Sequence, residues 1–276
     1  MKISPIIIGL LFATSTLAQA TDSPARTNQL FNFGWKFKAG EIPDAENPTL
    51  DDSDWRKLDL PHDFQIEQPW DKTASRARGF KAPGAGWYRK SFPADANWVG
   101  KQVLLDFEGI MVSGEVWVNG KKIGGTDYGY LGFEADIADI IKYDAPNVVA
   151  VRAATGGNAR WYTGGGLFRD VHLVVKDKIS IARHGIYITT PVISDQNAEV
   201  GIQVEVGGFR NKLDELEIAT TIYAPDGKPV GEARTRAPKN TKLARWAMPR
   251  LRVAMQPSGF WSILRMTAVI SATTGA

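Results

Sequence analysis

Residues 114–125 read GEVWVNGKKIGG, and this hairpin signal constrains the fold more than any other stretch of the chain. Two alternating runs flank Asn119-Gly120, a pair that accepts the positive φ angles of a type I′ turn. The twist of that turn matches the right-handed twist of the strands it joins. The segment therefore predicts two antiparallel strands.

The same alternation of apolar and polar residues recurs along the chain, with Gly, Pro, Asn or Asp breaks about every 8–12 residues. Strands are predicted from the runs KQVLLDF (101–107), PNVVAVRAA (146–154) and LFRDVHLVVK (167–176). After residue 20 there is no sustained helical stripe, and only FEADIADIIKYD (133–144) favours a turn or so of helix. The predicted fold class is all-β.

The composition of the sequence changes near residue 178, where aromatic residues become less frequent while the spacing of predicted strands and turns continues. The run AEVGIQVEV (198–206) alternates, with its apolar side chains on one face. The final ~95 residues match the size of an immunoglobulin-like sandwich. We therefore predict one β-sandwich over residues 21–178 and an immunoglobulin-like sandwich over residues 179–276.

Residues 1–20 have the layout of a secretory signal peptide. Lys2 supplies the positive start, residues 5–12 form an apolar run, and small residues lead to Ala20. The apolar run is well short of the roughly 20 residues of a membrane-spanning helix, which disfavours the alternative of a retained anchor. We expect cleavage after Ala20 and an exported chain, periplasmic or secreted, without membrane association after cleavage.

The composition excludes several classes of function. The sequence has no cysteine, so disulfides and thiolate metal sites cannot form. His62, His172 and His184 are scattered without ligand spacing, which argues against a metal site. The net charge of +3 is spread out and no nucleic-acid-binding module accompanies it, so no nucleic-acid partner is expected. The glycines at 164–166 lack the Lys and Ser/Thr of a phosphate loop, and no cofactor is predicted.

The residues by themselves reveal no catalytic constellation. Glu108, Glu115 and Glu134 are candidate acids, but nothing in the sequence fixes any two of them at the separation that a carboxylate pair requires. His62 and Asp63 are neighbours that an extended backbone directs to opposite faces, so we interpret His62 as a residue that holds a loop by hydrogen bonds. These observations alone indicate a binding or accessory module.

Residues 158–171 read NARWYTGGGLFRDV and leave two interpretations open. Trp161 and Tyr162 are large rings that suit either a sugar-binding lip or a plug for the hydrophobic core, and the plug is the commoner role. The glycines that follow predict a turn or hinge. Arg169 and Asp170 are expected to serve structure through a local ion pair.

Six motifs follow one another in the first predicted sandwich: FNFGWKF, LDDSDWRKLDLPHDF, GAGWYRKSF, VLLDFEGIMVSGEVWVNGKKIG, GYLGFEADI and NARWYTGGGLFRDVHLVV. In this order they resemble the sugar-binding domain of glycoside hydrolase family 2, the family of bacterial β-galactosidases, β-glucuronidases and β-mannosidases. LPHDF and RWYTGGGLFRDV look closer to the β-galactosidase branch. Residues 180–262 resemble, more weakly, the immunoglobulin-like domain that follows in that family.

The resemblance implies a jelly-roll sandwich, an immunoglobulin-like sandwich and then a (β/α)₈ barrel that carries two catalytic glutamates. Such a barrel needs about 250 residues, and no residue of this sequence matches its motifs, so no catalytic residue is predicted. The segment FWSILRMTAVISATTGA (260–276) also departs from the family's usual ending. We expect an incomplete glycosidase that is inactive alone, with its barrel lost or separately encoded, or else a free-standing carbohydrate-binding or scaffold module.

The resemblance also implies where substrate would bind. In the family, the loop before GLFRDV reaches the rim of the barrel's sugar pocket, and this loop corresponds to residues 158–163 here. Asn158, Arg160 and Trp161 are therefore the predicted substrate-binding residues, and the expected partner is a β-galactoside or related glycan. Some related enzymes have an acidic residue at the position of Arg160, whereas this guanidinium would donate hydrogen bonds to sugar oxygens or stack on Trp161.

Overall fold

The computed structural model describes residues 26–156, 160–194, 197–207, 216–224, 226–236, 244–247, 251–254 and 265–272. Within these ranges the chain forms strands joined by turns, with two short 3₁₀ turns at Arg76–Arg78 and Ala96–Trp98 and no α-helix. The all-β prediction is confirmed. Among the same residues, no helix has the length and apolar character needed to cross a membrane.

Ten strands build the N-terminal part of the fold. They are β1 (Arg26–Leu30), β2 (Trp35–Ala39), β3 (Arg56–Leu58), β4 (Ala85–Phe92), β5 (Gln102–Phe107), β6 (Ser113–Val118), β7 (Lys121–Thr126), β8 (Phe133–Asp136), β9 (Asn147–Ala154) and β10 (Val171–Lys176). One antiparallel sheet has the order β1-β10-β5-β8, and the other has the order β3-β2-β4-β9-β6-β7.

The core of this sandwich lies between the two sheets. Val103, Leu105 and Phe107 alternate along β5 and are fully buried. They belong to the same apolar cluster as Val149 and Val151 of β9 in the other sheet. Because alternate residues of a strand point to one face, the period-two pattern of the sequence supplies both inner faces of the sandwich.

The predicted hairpin is present as β6 and β7, which pair antiparallel. Asn119 and Gly120 have φ angles of 52° and 82°, the positive values that the primed turn needs. The Asn119 side chain also accepts a hydrogen bond from Val148 N at 3.0 Å, which ties the turn to β9. Local turn chemistry and a tertiary contact therefore favour the same geometry.

The C-terminal part forms a second pair of sheets from β11 (Ser180–Ile193), β12 (Asn197–Gly207), β13 (Leu216–Tyr223), β14 (Pro229–Arg236), β15 (Ala244–Ala247), β16 (Leu251–Ala254) and β17 (Arg265–Ala272). One sheet has the order β11-β12-β15, with β16 also on β12, and the other has the order β14-β13-β17. The predicted alternation in β12 is confirmed, because its apolar residues from Ala198 to Val206 are buried. The boundary at 178/179 and the immunoglobulin-like topology stay predictions.

Candidate functional site

An open groove of about 340 Å³ lies on the N-terminal sandwich. It brings together three segments that are far apart in sequence, and its lining consists of Met111, Val112, Tyr128, Gly129, Tyr130, Arg160, Trp161 and Thr163. Two of the three predicted substrate-binding residues, Arg160 and Trp161, therefore lie in one concave site. Asn158 lies outside the described residues.

Trp161 corrects the expectation of a core plug. Its side chain is 58% exposed, and its indole Nε1 lies 3.4 Å from the Tyr130 hydroxyl at the limit of a hydrogen bond. Stacking of Arg160 on Trp161 was one of two alternatives, and it is not among the cation–π contacts found in the described residues. Burial increases along the segment from exposed Trp161 through half-buried Tyr162 to the buried glycine at 164.

Tyr128 and Tyr130 also line the groove, and neither was predicted from the sequence. Tyr128 is 56% exposed, and its ring packs edge-on against Tyr130 with 5.6 Å between centroids. The Tyr130 ring in turn meets Phe168 edge-on. The available signal was the run DYGYLG (127–132), in which tyrosines alternate with glycines immediately after a hairpin.

Close backbone packing holds this tyrosine loop against the floor of the groove. A Cβ atom on Gly129 would lie only 3.0 Å from Met111 Cα, and one on Gly109 would lie 2.7 Å from the Gly129 carbonyl oxygen. Glycine is needed at both positions because any side chain would push the two segments apart. Met111 exchanges two backbone hydrogen bonds of 2.9 Å with Gly166, so the floor is also tied to the triple glycine.

The glycines at 164–166 are buried and form a packed turn rather than a hinge. Gly164 and Gly166 have φ angles of 76° and 124°, in the region that favours glycine. A Cβ atom on Gly164 would lie 2.7 Å from Asp63 Oδ2, and one on Gly166 would lie 2.7 Å from the His62 carbonyl oxygen. These contacts show that the triple glycine is closely packed against the 62–63 segment.

Asp63 anchors the inner end of the loop. Its Oδ1 accepts hydrogen bonds from Gly165 N at 2.8 Å and Gln65 N at 2.9 Å, and its Oδ2 accepts one from the Tyr162 hydroxyl at 2.7 Å. Burial raises the pKa of Tyr162, and the hydrogen bond to the Asp63 carboxylate raises it further. Tyr162 therefore stays a neutral donor at physiological pH and fixes the start of the buried turn.

His62 holds this region from the other side, as the sequence predicted. Its Nδ1 lies 2.8 Å from the Tyr88 hydroxyl, and its Nε2 lies 2.9 Å from Arg56 Nη2 and 3.2 Å from Glu67 Oε1. Burial lowers the pKa of His62, while Glu67 opposes that shift. Burial raises the pKa of Tyr88. These contacts connect β3, β4 and the 62–67 loop, and they give His62 a structural role.

The prediction of an ion pair between Arg169 and Asp170 is wrong. Arg169 Nη1 donates to the Tyr130 carbonyl at 3.4 Å, and its guanidinium lies 5.1 Å from the centroid of the Phe168 ring. Asp170 Oδ1 instead accepts a hydrogen bond of 2.7 Å from Asn32 Nδ2. Both residues serve structure, but through separate partners.

His172 is not isolated, contrary to the sequence interpretation. One ligand-type atom from each of Glu108, Asp170 and His172 lies within 4.8 Å of the others. The register explains the cluster, since Phe107 pairs with Val171 and Glu108 N donates to the Asp170 carbonyl at 3.0 Å. His172 Nε2 lies 3.2 Å from Glu108 Oε1, and the Glu108 side chain is 43% exposed. Among the described residues, these three bring nitrogen and carboxylate ligand atoms close enough together to hold a divalent cation. The contact between His172 and Glu108 already uses part of their hydrogen-bonding capacity.

The groove itself contains no catalytic acid. None of its lining residues is acidic. Glu115 pairs with Lys122 and Arg152 at the hairpin instead. Two carboxylates about 5 Å apart are needed for retaining glycoside hydrolysis, and about 6.5–9.5 Å for the inverting reaction. The residues that line the groove offer aromatic rings and a guanidinium for contacts with a ligand, and no carboxylate pair lies among them.

Comparison with known proteins identifies the family of the N-terminal sandwich. Residues 28–177 match the family described as Glycosyl hydrolases family 2, sugar binding domain. A β-galactosidase of Bacteroides ovatus is 34% identical over 209 residues, which cover 74% of this chain and 25% of that protein. A putative β-glucuronidase of Formosa agariphila is 32% identical over 258 residues, covering 92% of this chain and 24% of the relative. The chain thus spans about a quarter of the length of these curated relatives.

Solved structures show the same fold over most of the chain. A glycosyl hydrolase family 2 member from Bacteroides cellulosilyticus superposes with a TM-score of 0.77 at 32% identity, covering 88% of this chain and 34% of that one. A β-glucuronidase of Bacteroides uniformis gives a TM-score of 0.77 at 25% identity, covering 90% of this chain and 30% of its own. Together with the family match over more than half of the sequence, these similarities show that the chain belongs to glycosyl hydrolase family 2.

Proposed function

We propose that this chain is the non-catalytic, glycan-binding portion of an exported family 2 glycoside hydrolase that acts on β-galactosides. The observation that carries the proposal is the exposed aromatic groove, in which Trp161 stands beside Tyr128 and Tyr130. The groove lies on the domain whose family is described as sugar binding. It includes Arg160 and Trp161, which the family resemblance had assigned to the substrate rim.

The chemistry of the groove suits a pyranose ring. The C–H faces of a sugar pack on exposed aromatic rings, while its hydroxyl groups need hydrogen-bond donors and acceptors at the edge of the site. Tyr128 and Tyr130 provide phenol groups, Thr163 provides a hydroxyl and Arg160 provides N–H donors. The volume of about 340 Å³ falls in the range of about 300–1,000 Å³ typical of small-molecule sites.

The preference for β-galactosides rests on the wording of two motifs, LPHDF (60–64) and RWYTGGGLFRDV (160–171). The similarity to a β-galactosidase of Bacteroides ovatus supports it. The catalytic carboxylates would come from a barrel, encoded in continuation or separately. In this proposal the groove is half of a site, and the barrel supplies the other half.

Two measurements on the purified chain test the proposal. Hydrolysis of a nitrophenyl β-galactoside is expected to be undetectable, and turnover at enzyme-like rates would overturn the non-catalytic assignment. Methyl β-galactoside is expected to bind weakly, in the millimolar range, and to perturb the indole resonance of Trp161. Trp161→Ala should abolish this binding. Trp70→Ala removes an indole that is even more exposed, at 74%, and that does not line the groove, and it should leave binding unchanged.

A free-standing carbohydrate-binding module is the second candidate, and the openness of the groove to solvent favours it. A complete module should bind a glycan tightly by itself, whereas half of a shared site should bind weakly until the barrel is added. Calorimetry over a panel of galactosides and polysaccharides separates the two. The DNA downstream of codon 276 gives a cheaper test, because a barrel-coding frame there in any phase would support the glycosidase portion.

Export is part of the proposal and is tested separately. Residues 1–20 carry the signal-peptide layout, and they lie outside the described residues. The processed chain is expected in the periplasmic or secreted fraction with Thr21 at its amino terminus. Recovery of the unprocessed chain with Met1 from the cytosol would contradict export and would leave the assignment of the groove intact.

A further inference from the structure

A compact cluster of candidate metal ligands lies where β5 ends and β10 begins, and it consists of Glu108, Asp170 and His172. One ligand-type atom of each residue lies within 4.8 Å of the others, and none of the three residues lines the groove. The cluster combines an imidazole nitrogen with carboxylate oxygens, a mixture that zinc sites use, whereas Ca²⁺ and Mg²⁺ are bound by oxygen ligands. The donor atoms therefore favour a transition-metal ion.

The negative charge of this cluster is not balanced by a lysine or an arginine. Among the ion pairs of the described residues, Glu108 meets only His172, and Asp170 takes part in none. Asp106, which lies beside His172 in the strand register, is by contrast paired with Arg183 at 2.8 Å. Two carboxylates as close as Glu108 and Asp170 repel each other, and a bound dication would replace that repulsion with attraction.

A buried amide already orients one of the carboxylates. Asn32 is 3% exposed, and its Nδ2 donates to Asp170 Oδ1 at 2.7 Å, while its Oδ1 accepts a hydrogen bond of 2.9 Å from Val171 N. Hydrogen-bond partners of this kind orient the ligands of metal sites. Asp170 therefore enters the cluster with its direction set by the sandwich rather than by the other two ligands.

The spacing of the donor atoms suits a tetrahedral ion. Ligand atoms about 2.0–2.2 Å from Zn²⁺ lie about 3.3–3.6 Å from one another, and His172 Nε2 lies 3.2 Å from Glu108 Oε1. The side chains of His172 and Glu108 are 21% and 43% exposed, so water can complete the coordination. We infer that Glu108, Asp170 and His172 bind one divalent transition-metal ion, with Zn²⁺ as the best fit. This inference goes beyond the proposed function and does not depend on it.

The ion would connect two segments that lead into the groove. Glu108 is followed by the 109–111 segment, which ends at Met111 in the groove lining, and Asp170 follows Phe168, whose ring meets Tyr130 edge-on. A hydrogen bond of 3.0 Å from Glu108 N to the Asp170 carbonyl already joins the two backbones. The metal adds a second link, so its role is to stabilise the folded sandwich.

Titration of the purified chain with ZnCl₂ tests the inference, and the chain must carry no histidine tag. Calorimetry is expected to show one equivalent of Zn²⁺, bound at least about 100-fold more tightly than Ca²⁺ or Mg²⁺, because imidazole suits zinc and not these hard cations. Zn²⁺ should also raise the midpoint of thermal unfolding, since a ligand that binds only the folded state stabilises it.

Variants connect the binding to the cluster. His172→Asn should weaken Zn²⁺ binding about 100-fold and remove the thermal shift. Asp170→Asn keeps an acceptor for Asn32 and should weaken binding about ten-fold or more. His184→Asn alters an exposed histidine outside the cluster and should leave binding unchanged. Unfolding of His172→Asn at the midpoint of the unmodified chain, both in EDTA, verifies that its fold is intact.

Three results would overturn the inference. The first is the absence of heat and of a thermal shift at millimolar Zn²⁺. The second is equal affinity of His172→Asn and the unmodified chain, or an equal loss in His184→Asn, which would remove the assignment to this cluster. The third is tighter binding of Ca²⁺ than of Zn²⁺, which would remove the choice of metal. The binding of methyl β-galactoside at the groove is measured separately, so the proposed function stands or falls by itself.

Discussion

The two halves of residues 160–166 contrast sharply in their surroundings. The outer half, Arg160 and Trp161, is exposed and lines an open groove. The inner half, the glycines at 164–166, is buried against Asp63, Phe64 and Tyr88. One short segment thus carries both an exposed groove lining and a buried turn. The difference predicts that substitutions in the inner half act on stability, and that those in the outer half act on the proposed glycan binding.

The largest effect is expected at Gly166. Gly166→Ala places a methyl group 2.7 Å from the His62 carbonyl and even closer to the Tyr88 hydroxyl, at a φ of 124°. Steric overlap and backbone strain together should lower the free energy of unfolding by about 4 kcal/mol. Gly34→Ala is the matched control, since its φ is 71° and nothing lies within 4 Å of its Cβ position.

Gly34→Ala should lower the free energy of unfolding by only about 1 kcal/mol, which is the cost of a positive φ angle for a residue other than glycine. Urea denaturation measures both variants. A decrease in the free energy of unfolding below about 1 kcal/mol for Gly166→Ala would contradict the close packing of this buried turn, because overpacking in a core normally costs more.

Asp63→Ala should have the next largest effect. It removes the acceptor for Gly165 N, Gln65 N and the Tyr162 hydroxyl, and the abandoned donors are partly buried. We expect a loss of about 3 kcal/mol, since each unsatisfied buried donor costs about 1–3 kcal/mol. Tyr162→Phe deletes one of these bonds and should cost only about 1 kcal/mol. Equal effects of the two variants would show that Asp63 acts through Tyr162 alone.

The pH dependence of stability follows with a smaller effect. Burial holds the pKa of His62 below its ordinary value of 6.5, so the unfolded chain binds a proton more readily than the folded one. The contribution of His62 is complete above pH 6.5 and is lost as the pH falls from 6.5 through the folded pKa. His62→Gln should flatten the stability profile in that window. His184→Asn alters an exposed histidine and should leave the profile unchanged.

Trp161→Ala should have the smallest effect on stability and the clearest effect on binding. The side chain is 58% exposed, so the free energy of unfolding should change by less than about 0.5 kcal/mol. Glycan binding should be lost in the same variant. A stability loss of about 2 kcal/mol or more would restore the interpretation of Trp161 as a core plug.

Features governed by local chemistry were predictable from the sequence. The Asn119-Gly120 turn and the alternation in β5 and β12 appear as predicted, because turn dihedrals and strand faces depend on residues close in sequence. Within 133–144 the outcome was mixed. Residues Phe133–Asp136 form β8 on β5, and the turn comes only afterwards. Pairing with a neighbouring strand outweighed a weak helical preference.

The candidate site was less predictable. The sequence indicated the loop of Arg160 and Trp161, but it gave no sign of Tyr128 and Tyr130, whose loop packs closely on the 109–111 segment through glycines. His172 also looked isolated in the sequence. Its cluster with Glu108 arises from the register between β5 and β10, which a single sequence does not show. Such juxtapositions depend on which strands pair, and no local pattern specifies that choice.

The sequence by itself determined the all-β class and the resemblance to family 2, whereas the substrate-binding role of Arg160 and Trp161 stays a prediction. Periodicity, turn residues and ordered motifs carry this information because each is a property of neighbouring residues. Only the tertiary structure decided which residues of the loop face solvent. Exposure depends on what packs against a residue, and at Trp161 the buried turn of the following glycines, anchored by Asp63, leaves the indole outside.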